Sequence, residues 1–193
     1  MTQADTNQYA LAGWLAIVSA VMLMPEIALA VLSESEFPAL YVFVIPIHIA
    51  NLVIGIYILY MFRRLLNRQF AFHATDFLIT VLIIVNVVFF VIGLIEFSVN
   101  LIGLDWKEKL SLSLITIMLF VPFGLLTVVF GVMLLKMKDD LFGLLRPYAY
   151  TTIGSGVCGA TVVLAPIGLF AAVVALIMTG MIFLRAKKEA EIL

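Results

Sequence analysis

Four long apolar runs, each bounded by polar or charged residues, set the pattern of this chain: Tyr9 to Leu32, Pro38 to Phe62, Phe77 to Phe97 and Leu112 to Leu135. A helix rising ~1.5 Å per residue crosses a ~30 Å hydrocarbon layer in about 20 residues, so each run predicts one transmembrane helix. A fifth stretch, Tyr148 to Leu184, is too long for one ordinary span and long enough for two short ones. Ala165-Pro166-Ile167-Gly168 lies near its middle, and a proline without an N–H beside a glycine predicts a tight turn there. The expected fold is therefore all-α: a polytopic bundle of six transmembrane helices, with five as the alternative, forming a single integral membrane domain over residues 1–193 without a soluble domain.

Small and polar residues recur within the apolar runs at intervals of three, four or seven, which places each set on one helix face. The first span carries Ala12, Ala16, Ser19, Glu26 and Ala30; the second His48, Asn51 and Gly55; the third Asn86, Gly93, Glu96 and Asn100. The fourth carries Ser113, Thr116, Gly124, Thr127 and Gly131; the fifth Thr152, Ser155 and Gly159; the sixth Gly168, Ala172, Ala175 and Thr179. Lipid tails are as apolar as leucine, so helices in a bilayer meet through small residues that allow close approach. These faces predict helix contacts within the bundle, and association with a second copy or another membrane protein.

Charge then orients the chain. Of its 11 Lys and Arg, nine fall on the cytoplasmic side if six spans place both termini there, namely Arg63, Arg64, Arg68, Lys136, Lys138, Arg146, Arg185, Lys187 and Lys188. Five spans split the basic residues almost evenly, so the tendency of Lys and Arg to stay inside favours six. Glu34, Glu36 and the Trp106 loop then face outward, while Tyr9 and Trp14 are expected at the inner interface. The first run reads as a span rather than a signal peptide, since no Lys or Arg precedes it. The membrane expected is a plasma membrane or a bacterial inner membrane.

Composition narrows the function. Apolar residues make up 65% of the chain and charged residues 12%, about half the ~25% usual in soluble domains. A net charge of −1 gives no basic surface for nucleic acid, and the single cysteine, Cys158, excludes an intrachain disulfide or a dithiol pair. Residues 154–160, Gly-Ser-Gly-Val-Cys-Gly-Ala, match the glycine pattern of a dinucleotide-binding turn, but no strand precedes them and no acid follows before Glu189. No catalytic residues, metal site or cofactor are expected.

Ionisable and amide groups within the bilayer are the candidates that remain, because each costs free energy unless it is paired or wet. Glu26 follows Pro25 near the outer end of the first span. His48, Asn51 and Asn86 are placed at comparable depth in the second and third, so an intramembrane polar site at Glu26, His48, Asn51 and Asn86 is the sequence-based candidate. Glu26 and His48 are expected as neighbours, and His73 with Thr75 or Asp76 at a helix start on the inner side. The expected function is an accessory or scaffolding membrane protein; the alternative is a minimal proton- or cation-coupled transporter or channel through the polar site.

Overall fold

The computed structural model describes the backbone of residues 3–35, 41–102, 106–161 and 164–190, and the side chains of 6–25, 45–95, 98, 118–161, 164 and 167–189. It is all-helical: α1 (Gln3–Ser35), α2 (Tyr41–Gln69), α3 (Asp76–Ile102), α4 (Trp106–Leu134), α5 (Leu145–Ala160) and α6 (Ala165–Ala190). Among the described residues, four segments are long and apolar enough to cross a membrane: Thr6–Pro25, Ile45–Gln69, Asp76–Ile95 and Ile167–Glu189. A shorter apolar segment runs from Met118 to Leu134. At 16 residues α5 is about 24 Å long, short of the ~30 Å layer.

Two boundaries differ from expectation. Helix α2 continues past Phe62 through Arg63, Arg64 and Arg68 to Gln69, because arginine is a good helix former and its long stem lets the charge reach water while the backbone stays helical. Helix α5 ends at Ala160 and α6 begins at Ala165, so residues 165–168 are helical rather than the tight turn expected. Pro166 stands instead in the first turn of α6, where a helix has no use for its missing N–H, and the Gly168 N–H already bonds the Leu164 carbonyl at 2.9 Å.

Each helix packs on its sequence neighbours and α6 returns to α1, so the six form a closed ring; among the described residues no other helix pair is in backbone contact. Close contacts between helices are made by glycine. A Cβ added to Gly124 of α4 would lie 2.5 Å from the Gly156 carbonyl oxygen of α5, and one added to Gly180 of α6 would lie 2.9 Å from the Gly13 carbonyl oxygen of α1. Gly131 likewise faces Ile153 Cγ1 at 2.7 Å. Large apolar side chains point outward from the ring, including Trp14, Val53, Ile84, Met118 and Phe170, as expected of a surface solvated by lipid.

Six helices in a ring leave a central space about as wide as one helix, roughly 10 Å, which side chains either fill or leave open. Among the described residues they fill it at one end. There Phe62 meets the rings of Phe130, Tyr148 and Phe183, Tyr9 stacks on Phe183 at 6.2 Å, and Leu66, Leu134 and Leu141 complete a buried core. Tyr9 is thus 1% exposed and belongs to this core rather than to a membrane interface; Trp14 is exposed. The N-terminal part of α1, the C-terminal part of α6 and the basic residues in the last turns of α2 and α6 and after α4 all gather at this filled end, tied together by Arg64 to Gln8 and Arg185 to the Phe142 carbonyl.

A carboxylate on α3 fastens the same end. Asp76, the first residue of α3, accepts hydrogen bonds from Arg63 Nε at 3.0 Å and from Asn67 Nδ2 at 2.9 and 3.0 Å. His73 Nδ1 lies 3.4 Å from its other oxygen. His73, Thr75 and Asp76 therefore do mark a helix start, with Asp76 turned to α2 as a cross-link. Arg63 and Asn67, one turn apart on α2, are the partners that the sequence pattern did not bring forward.

Candidate functional site

Beyond the aromatic floor the inner faces change to small residues, and α2, α3, α4, α5 and α6 line a half-open cavity of about 330 Å³. Phe130 and Tyr148 form its bottom, and Gly159, Gly168, Ala172 and Ala175 give it room. A Cβ at Gly159 would meet nothing within 4 Å, and the same is true of Gly55 on α2. This corrects the expected use of both glycines as helix contacts: a methyl at either position would touch no neighbouring helix, and Gly159, which lines the cavity, widens it.

Six polar side chains belong to the wall: Asn86, Thr127, Tyr148, Thr152, Ser155 and Thr179. Most of their protons are already committed. Thr127, Thr152 and Thr179 donate to the carbonyls of Phe123, Tyr148 and Ala175 on their own helices at 2.8 to 2.9 Å. Ser155 donates to the Gly168 carbonyl at 3.1 Å, joining α5 to α6, and the Tyr148 phenol hydrogen-bonds with Thr179 and Thr152. Asn86 Nδ2 donates to the Leu82 carbonyl at 2.8 Å. Among the described residues no charged side chain lines the cavity.

Only part of the predicted polar site gathers here. Asn86 is half-buried in the cavity wall. His48 is exposed; its ring stacks on Phe90 with centroids 5.7 Å apart, and a Cβ on Gly93 would lie 3.7 Å from its Nε2. Leu82, Asn86 and Gly93 share one face of α3, within ~40° at ~100° per residue. His48 thus looks onto the same inner face as Asn86, but seven residues or about 10 Å farther from the floor, so the two are not at one depth. Asn51 is half-buried on α2. The side chains of Glu26, Ala30, Glu96, Asn100, Ser113 and Thr116 lie outside the described residues, so the Glu26–His48 pairing is not among the contacts seen.

The wall hydroxyls were legible only as members of small-residue faces. Their shared feature, a ring of oxygen atoms with the protons turned away, arises where three helices meet and has no local signal. Among the described residues no three His, Cys, Asp or Glu side chains come together. Compared with protein-family models, curated proteins and solved structures, the chain matches none.

Proposed function

We propose that this chain is a six-span accessory membrane protein of a plasma or bacterial inner membrane, with both termini in the cytoplasm, and that it holds an uncharged guest inside its ring rather than catalysing a reaction or conducting ions. One observation carries the reading: the interior ends on Phe62, Phe130, Tyr148 and Phe183, and among the described residues its wall bears no charged side chain. An ion entering such a space would exchange its hydration for a wall of carbon and already bonded hydroxyls, at a cost of many kcal/mol. Of the small residues expected to recruit partners, Gly124 and Gly131 pack within the chain against Gly156 and Ile153, and Ala12 and Ala16 are buried. Contact with another protein is thereby left to the outer apolar surface.

Flux measured in liposomes containing the purified protein tests this reading. Proton, Na⁺ and K⁺ permeability equal to that of protein-free liposomes is the expected result. A protein-dependent flux would favour the alternative, a coupled transporter using Glu26, His48, Asn51 and Asn86. That alternative draws its support from the shared inner face of α3, on which Asn86 and the His48 contact at Gly93 are in line. It further predicts that Glu26→Gln and His48→Gln each abolish the flux.

A further inference from the structure

The wall chemistry narrows the guest further. From the hydrogen-bond inventory of the cavity we infer that it binds a neutral lipid alcohol, an apolar chain ending in a hydroxyl, with that hydroxyl seated on the Asn86 amide. The inference rests on the holding role proposed above and adds the class of molecule held.

Asn86 is oriented by its own helix. A carbonyl only accepts, so the atom 2.8 Å from the Leu82 oxygen is the amide nitrogen, and the amide oxygen with the second N–H is what the side chain has left to offer. An alcohol O–H is donor and acceptor on one atom, which complements an acceptor and donor carried side by side. The hydroxyls of Thr127, Thr152, Ser155 and Thr179 have given their protons to backbone carbonyls; those of Thr152 and Thr179 also meet the Tyr148 phenol, and Thr127 and Ser155 present their oxygen lone pairs. They favour a donor and offer nothing to a guest that can only accept, such as an ether or ketone. A carboxylate or phosphate is disfavoured more strongly, because among the described residues no cationic side chain lines the space.

Size and shape agree with this chemistry. About 330 Å³ lies at the small end of the ~300–1,000 Å³ typical of ligand sites, enough for one chain and its head but not for a two-chain phospholipid. The remaining lining is apolar, with Leu59, Phe123, Leu169 and Leu176 among its residues. No group in the wall calls for a charged or multiply polar guest.

A photoreactive hexadecanol carrying a diazirine in its chain, tested on the full-length protein in nanodiscs against the matching methyl ether and hexadecanoate, decides the matter. The alcohol is expected to label saturably, with the ether about tenfold weaker, the ratio for one buried hydrogen bond. Asn86→Leu should bring alcohol and ether to equal affinity, while Gly159→Leu, which places a side chain in open space, should block both with the thermal stability of the protein retained. Equal saturable labelling by alcohol and ether in the unaltered protein, or an alcohol preference surviving Asn86→Leu, would each overturn the inference while leaving the holding role intact; a preference for hexadecanoate would overturn both, since the role is for an uncharged guest. Absence of saturable labelling by all three probes would overturn both.

Discussion

Gly124 and Gly156 face each other backbone to backbone: a Cβ on the first would lie 2.5 Å from the carbonyl oxygen of the second, and a Cβ on the second 2.6 Å from the carbonyl oxygen of the first. Neither helix can accept a methyl group here without moving away from the other. Gly159, one turn farther along α5, faces the cavity and has no such neighbour.

Alanine substitution should therefore separate the three. Gly124→Ala and Gly156→Ala should each destabilise the bundle by about 1–3 kcal/mol through overpacking. Gly159→Ala should leave stability unchanged or raise it by up to ~1 kcal/mol, since alanine is the better helix former. Thermal unfolding in detergent reads the difference, and equal losses at all three positions would contradict the ring geometry.

Asp76 provides a second test at the filled end. Its side chain is 24% exposed and that of Arg63 42%, so the α2–α3 cross-link is partly screened by water. Asp76→Ala should cost roughly 1–2 kcal/mol, more than Asp139→Ala in the exposed α4–α5 connection, because Arg63 and Asn67 lose their acceptor. Chemical or thermal denaturation of the two variants side by side gives the comparison.

Helices, their order and much of the inner face follow from the sequence because they rest on local signals. Apolar length, bounding charge and spacing of three or four placed α1 to α4 and identified Ala12, Ala16, Gly124, Gly131 and Thr179 as inward-facing or buried. What small residues do once inward is not local. At Gly124 and Gly156 smallness lets two backbones touch, whereas at Gly159 it leaves room in the cavity. Which outcome prevails depends on closure of the ring through α1 and α6, the pair most distant in sequence. Depth was misjudged for a similar reason: counting inward from loops set His48 level with Asn86, while the packing places His48 opposite Gly93.

Sidedness is open to direct measurement. In a Cys158→Ser background, single cysteines at Arg64, Lys138 and Lys187 should react with an impermeant thiol reagent from the cytoplasmic face, and those at Glu34 and Lys107 from the opposite face. Modification of positions 187 and 107 from one side would remove the sixth span and return the chain to five.

The aromatic floor is tested most directly at Thr179, which lines the cavity one turn from Phe183. With Thr179→Cys as the only cysteine in sealed proteoliposomes of uniform orientation, an impermeant thiol reagent on the side of Arg64 should leave position 179 unmodified while labelling a Lys138→Cys control to completion. Rapid modification of position 179 from the Arg64 side would mean that water passes the aromatic floor, and would contradict a ring that holds rather than conducts.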